Sequence, residues 1–493
     1  MLFLESKTLN YAVEGQARTQ LLQQLQEREL TPLIRSTRLR CFEDVLLDVD
    51  HVSEVESSLA SWTQTANTTS DEPYVRGDLF CFHDYILFLI FENEATSFIR
   101  AGIVYEAQTP EPFRKLDSFC EQIRSLLRGD LNGQNGDFPR WELGKASMPQ
   151  GFRTFVERQD ADSLYTSLRK ETMSKRIMAA SKLEDEGARV FLRTARNAHQ
   201  EGYAAKLLTA GNTDSDKVPI QRLEDAGLVE REVQISCRKT GHALFRLPNP
   251  HALAVVTVSD ATCSECGAPV ADENVEEVIA PTQLASSLLE DGSWLVSRIH
   301  YLLREMGVPE REIAVGPSEG NGYGQLMANI CGESFLMVTR DGDLTPAFAR
   351  WAVDLEIDTE ASHLVMVATG RIHREAGVLL QNHSRRRVSG GQDFEMILAD
   401  DAATAGRELE AALERVSQRV VAEQLCVLDN SLGLSVSRLV LTKFNLLRAR
   451  AVETSPEVVT ESEPEFSVPD SVHSAPLTLA AHVGDDLSLN HEV

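Results

Sequence analysis

Cys237-Arg238-Lys239-Thr240-Gly241-His242 and Cys263-Ser264-Glu265-Cys266-Gly267 are two short segments of one kind, and the rest of the chain is arranged around them. In the second, two thiols stand three positions apart, so one tight turn can offer both to a single tetrahedral ion. The glycine that follows lets the backbone amides approach the sulfurs. The first segment keeps the turn and the glycine but carries Thr240 where the second thiol is expected. Twenty-five residues lie between Cys237 and Cys263, a span suited to a hairpin joining two such turns. Three thiolates leave a tetrahedral site open, and His242, two positions past the vacancy, is the candidate fourth ligand. The metal-ligand candidates are therefore Cys237, His242, Cys263 and Cys266, with zinc as the ion. The lost thiolate weighs toward a metal-free relic held by hydrogen bonds and packing.

Upstream, 165–236 reads as helical. Arg169, Lys170, Lys175, Arg176 and Lys182 make its first part locally basic, more simply a solvated helix face than a phosphate contact. A helix is expected over Leu183–His199 with Val190, Leu192 and Ala195 inward, a shorter one after Gly202, and a third from about Asp216 to Ala226. Leu223-Glu224-Asp225-Ala226-Gly227-Leu228-Val229 has the form of a helix end turning into a strand, Gly227 supplying the left-handed stop. That layout resembles a winged helix, whose third helix would offer Lys217, Gln221 and Arg222 to DNA. Asp214, Asp216, Glu224 and Asp225 offset those three, and docking to a protein is an equal alternative.

Downstream, 281–400 reads as α/β. Trp294–Met306 is expected as a helix capped by Ser293, followed by strands at Glu312–Gly316, Gln325–Cys331 and Ser334–Thr339. A turn at Arg340–Asp343, a helix at Thr345–Val353 and a buried strand at Leu364–Ala368 complete it. Gly316–Gly324 is glycine-rich but lacks the lysine of a phosphate-cradling loop. Arg385-Arg386-Arg387 is the one dense basic spot, in a stretch read as a loop that either grips an anion or is simply solvated.

From about Leu183 to Ala368 the chain resembles bacterial and archaeal proteins that join a winged helix, a zinc ribbon and a restriction-endonuclease-like domain of the PD-(D/E)xK type. The residues that carry the resemblance are Leu223–Val229, the two Cys turns, Ser293-Trp294-Leu295 and Leu336-Met337-Val338-Thr339-Arg340-Asp341-Gly342. Active members need a carboxylate on one strand and Glu-x-Lys on the next, the carboxylates holding Mg²⁺ and the lysine positioning the nucleophile. Laid on this chain, the metal-binding Glu falls on Val338 and the Lys on Arg340, while Met327-Ala328-Asn329 offers no carboxylate. An apolar side chain cannot hold a hard cation, so magnesium is not expected and the resemblance implies a nuclease fold without its catalysis. Glu333, Arg340, Asp341 and Asp343 are the candidates should a rearranged metal site exist, although carboxylates in a tight turn are more often plain surface.

Residues 1–150 read as an α+β unit. A helix is expected at Ala17–Glu29 and another at Phe113–Leu127. Strands lie between Asp71 and Tyr105, including the continuous apolar run Tyr85–Phe91, which suits a strand covered on both faces. His83 and Asp84 at its mouth are read as structural. Gly129–Gly151 has linker composition. A long helix is expected over Asp401–Leu425, with Leu409, Leu413, Val416, Val420 and Leu425 in one stripe that packs on the sheet or pairs with a second subunit. Another helix is expected within Leu432–Ala449. From Val452 the chain is acidic, rich in Ser, Thr and Pro, and expected to be disordered. The fold class is thus α+β and multidomain: 1–150, 165–236, 237–280, 281–400, 401–451 and the tail 452–493.

The net charge is −27, of which the last 42 residues carry −9 and the rest −18. An acidic body repels a phosphate backbone unless basic residues cluster, which counts against unspecific DNA binding. No apolar run reaches the ~20 residues of a membrane span, and MLFLESKTLN lacks the basic start of a signal peptide. Eight cysteines spread over 493 residues fit reduced thiols in a bacterial cytoplasm. The expectation is a non-catalytic, nuclease-derived protein that acts by binding, in a DNA-transaction or defence complex. Its foremost partner would be a protein, with DNA as a second. A metal-dependent nuclease with migrated carboxylates and a winged-helix transcription regulator are the alternatives. The oligomeric state is left open.

Overall fold

The computed structural model describes residues 1–46, 51–65, 74–93, 97–129, 138–144, 148–157, 173–201, 220–248, 252, 261–290, 292–317, 322–431 and 435–454. It is a mixed α+β protein with three sheets among these residues. Met1–Phe444 forms one compact unit, and Asn445–Val493 is a second. No helix among the described residues is long and apolar enough to cross a membrane.

The first sheet is antiparallel and has the order β2 (Gly77–Cys81), β3 (Tyr85–Asn93), β4 (Ser97–Glu106), β1 (Leu2–Leu9), β5 (Glu142–Leu143). Ile86, Phe88 and Ile90 are buried on one face of β3, and Leu87, Leu89 and Phe91 on the other, as an unbroken apolar run requires. Helices α1 (Gly15–Glu27) and α4 (Pro112–Gly129) cover one face through Leu21, Leu22, Leu25, Phe119 and Ile123. Two further helices, α2 (Leu33–Leu46) and α3 (Val52–Thr65), complete the N-terminal part. Asp84 forms an ion pair with Lys115 at 3.2 Å. The opening residues, whose pattern gave no strand signal, form β1, paired with β4 over all eight residues from Leu2↔Glu106 to Leu9↔Ile99. The stretch read as a linker contributes β5, which pairs with Lys7 and Thr8.

The second sheet has the order β13 (Met396–Ala399), β12 (His363–Ala368), β11 (Glu333–Arg340), β10 (Tyr323–Ile330), β9 (Ile313–Val315). Strands β9, β10 and β11 form an antiparallel meander, and β12 and β13 run parallel to β11. Helix, strand, strand, strand, helix, strand is the order expected from Trp294 to Ala368. Leu326, Ala328, Phe335, Met337, Val365 and Val367 face one helical layer, in which Leu295, Val296 and Ile299 of α10 (Ser293–Glu305) meet Leu409, Leu413 and Val416 of α13 (Ala402–Leu425). Met327, Leu336, Val338, Leu364 and Met366 face the other, made by α5 (Gln150–Glu157), α11 (Pro346–Asp358) and α12 (Arg374–Ser389). Alternation along each strand thus feeds two separate cores. Gly324 permits this: a Cβ there would stand 2.0 Å from Val296 Cγ2. Helix α13 packs on this sheet and also on β1, so it ties the first two sheets together.

Between them lie α6 (Met173–Lys182), α7 (Glu186–Glu201), α8 (Ile220–Asp225) and a third sheet of order β7 (Ala243–Leu247), β6 (Val229–Ser236), β8 (Asn274–Pro281), followed by α9 (Gln283–Glu290). Gly227 stops α8 at φ 71°, its N–H bonded to Glu224 O and that of Leu228 to Leu223 O. The remaining described helix is α14 (Val436–Thr454).

Four local expectations need correction. Val190 is 53% exposed, whereas Leu192 and Ala195 are buried, because residues two apart on a helix cannot share a face. The helix expected from Leu183 begins at Glu186, after a turn that closes α6. Gly292, at φ 67°, is the N-cap of α10, and the Ser293 hydroxyl instead accepts from Arg176. Arg385, Arg386 and Arg387 lie in α12 rather than in a loop, and Arg387 pairs with the buried Glu356 at 3.0 Å. The helix after Gly202, the start of the third helix with Lys217, and the acidic tail from 455 lie outside the described residues.

His363 is fully buried in β12, and its Nδ1 accepts the Glu395 N–H at 3.0 Å. Burial, with Arg419 and Arg387 adding to it, holds this histidine down at about 3. The folded state therefore resists a proton that the unfolded chain accepts near 6.5, so this contribution is present above about 6.5 and is lost as pH falls toward 3. His363→Asn, measured against the parent by chemical denaturation, is expected to close the stability gap by about 1.4 kcal/mol per pH unit as pH falls from 6 to 4. A gap that does not change with pH would refute it.

Candidate metal centre

Two turns with one hydrogen-bond pattern build the site. In the first, the Cys237 N–H donates to His242 O at 2.8 Å and the Gly241 N–H to Cys237 O at 2.7 Å. In the second, the Cys263 N–H donates to Ala268 O at 2.7 Å and the Gly267 N–H to Cys263 O at 2.9 Å. Gly241 and Gly267 take φ values of 73° and 74°, which glycine adopts without strain. The correspondence puts Thr240 at the place of Cys266, as the spacing implied.

The turns converge because β6 ends at Ser236, one residue before Cys237, while the second turn leads through a 3₁₀ turn (Val270–Asp272) into β8. The antiparallel register of these strands runs out to Ser236↔Asn274. The residues just beyond that pair are Cys237 and Glu273, which brings a carboxylate to the thiols. One donor atom each of Cys237, Cys263, Cys266 and Glu273 lies within 4.8 Å of all the others. Cys237, Cys263 and Glu273 are buried and Cys266 partly so. One Glu273 oxygen accepts from the Cys266 thiol at 2.9 Å, and the other accepts from the Arg238 N–H.

The electrostatics follow these contacts. Hydrogen bonding from Thr240 draws the Cys237 thiol down to about 7, and sharing with Glu273 pushes Cys266 up to about 12. The same bond from Cys266 lowers Glu273. A group of three sulfurs and a carboxylate oxygen suits a divalent ion that accepts both donor types in a tetrahedron.

His242 is outside this group. Its ring is 72% exposed, with Nδ1 at 3.5 Å from Glu265. Glu273 escaped sequence reasoning because no spacing rule points to it: the signal is the strand register, which a turn motif does not carry.

The other candidates are dispersed. Val338 is fully buried in the second core. Arg340 lies over the rings of Tyr323 and Phe348, at 5.0 and 5.3 Å from their centroids, and donates to Thr345 Oγ1 at 3.1 Å. Glu333 starts β11 beside His363 and Arg419. Asp341 follows the far end of the strand, roughly 25 Å away at ~3.3 Å per residue. Asp341 accepts from Trp294 Nε1 and Thr369 Oγ1, both at 2.9 Å, and pairs with Arg193. Asp343 accepts the Arg371 N–H at 2.8 Å and stands 3.7 Å from His373. Gln221 donates to Asp225 on α8, and Arg222 is exposed beside it.

No model of a known protein family, no curated protein and no solved structure matches this chain.

The Asp341 side chain is only 4% exposed, and it joins α7, α10 and the ends of β11 and β12. Asp341→Asn is expected to lower unfolding free energy by about 3 kcal/mol, because it strips a buried charge from its partners. An unchanged melting temperature would contradict this.

Proposed function

We propose that this chain is a non-catalytic, nuclease-derived binding protein that works within a DNA-transaction or defence complex, with a zinc ion fastening its Cys-bearing hairpin. The observation that carries the first part is Val338. It stands where an active nuclease of the resembling type has its metal-binding Glu, and it is buried among Leu336, Phe348 and Met366 with no room for a hydrated cation. The strand order and the three-layer packing support the ancestry, and the scattering of Glu333, Asp341 and Asp343 counts against a relocated metal site. Arg340, at the position of the lysine, is engaged with aromatic rings and Thr345. An overall charge of −27 weighs toward a protein partner over bare duplex.

Zinc is favoured by the donor set. Three thiolates alone leave a tetrahedral site open, and Glu273 supplies the fourth donor. Such a closed site is structural: bound zinc would pin the two turns together and leave no position for water or substrate.

Purified full-length chain, incubated with linear duplex and single-stranded DNA in Mg²⁺ or Mn²⁺, is expected to leave both intact. Cleavage that Glu333→Ala or Asp341→Ala abolishes would overturn the non-catalytic assignment. Elemental analysis of the same preparation is expected to find about one zinc per chain, lost in Cys263→Ser.

A further inference from the structure

We infer that Glu273 is the fourth ligand of the metal centre and stands in for the thiolate missing at position 240. This rests on the zinc assignment above and deepens it. The matched hydrogen bonds of the two turns make Thr240 the partner of Cys266, so the first turn has lost one ligand of a four-thiolate set. The Thr240 hydroxyl accepts the His242 N–H at 3.3 Å and offers no anionic donor. A second-turn Cys pair and Cys237 leave one corner of the tetrahedron open, and Glu273 fills it from the adjoining strand register.

The carboxylate is prepared for this task. The Arg238 N–H holds one oxygen, so the other is free to turn to the ion while its partner is already satisfied. That second oxygen reaches the sulfur shell, at 2.9 Å from Cys266 Sγ. Zn–S bonds of about 2.3 Å place tetrahedral donors about 3.8 Å apart, within the 4.8 Å already spanned by the four atoms. Charge is conserved too. Three thiolates and a carboxylate leave the occupied site with the same net negative charge as four thiolates would, whereas the neutral imidazole of His242 would make it one unit less negative.

The test uses the full-length chain and three variants, with zinc affinity read by chelator competition and ligand type by the thiolate-to-metal bands of the cobalt-substituted protein. Glu273→Ala is expected to weaken zinc binding by about 100-fold or more, exceeding the loss usual for an outer-shell partner. Thr240→Cys combined with Glu273→Ala is expected to restore affinity and to strengthen the charge-transfer bands, because a fourth sulfur replaces the oxygen. His242→Ala is expected to bind as the parent does. Parent-like affinity in Glu273→Ala, or a loss in His242→Ala, would overturn the ligand assignment and leave the zinc site standing. A failure of the double variant to regain zinc would also count against the exchange. Parent protein that takes up neither zinc nor cobalt would sink both.

Discussion

Burial of β11 on both faces is the constraint on which most of this structure depends. Its side chains alternate between two helical layers, with Phe335 and Met337 in one core and Leu336 and Val338 in the other. A strand so placed cannot hold an ionised group at its centre without a cost of several kcal/mol. Charge is therefore confined to its ends. Glu333 meets His363 and Arg419 at one end, while Asp341 meets Arg193 and Trp294 at the other. Each carboxylate is drawn into local pairing, and neither can join the other.

The cysteine–glutamate group obeys a different constraint. A small hairpin without a deep core needs its turns held from outside. Two glycine-stopped turns position three sulfurs, and the β6–β8 ladder positions the carboxylate. The site is therefore as firm as the strand pairing beneath it, and an ion bound there would reinforce that pairing in return.

Sequence patterns were most legible where burial is simple. The run Tyr85–Phe91, the stripe Leu409–Leu425 and the strands expected at Gln325–Cys331 and Ser334–Thr339 all became the elements they imply, because an apolar run or a helical stripe is carried by residues close together in the chain. They failed where a partner decides the outcome. Residues Leu2–Leu9 mix Glu5, Ser6, Lys7 and Thr8 with apolar residues, and become a central strand only because β4 and β5 lie on either side. Ser293 has the chemistry of a cap, but Arg176 claims its hydroxyl. Val190 stands two positions from the buried Leu192 and so faces outward, as the helical period requires.

By itself, the sequence determined the two Cys turns, the loss of a thiolate at Thr240 and the helix–strand order from Trp294 to Ala368, since each depends on residues close together in the chain. Tertiary structure alone decided that Glu273 completes the donor group and that His242 does not. It also decided that, among the described residues, Glu333, Asp341 and Asp343 form no common metal-holding group. The physical reason is that ligand convergence depends on which strands pair and in what register, and hydrogen bonds between distant segments set that register.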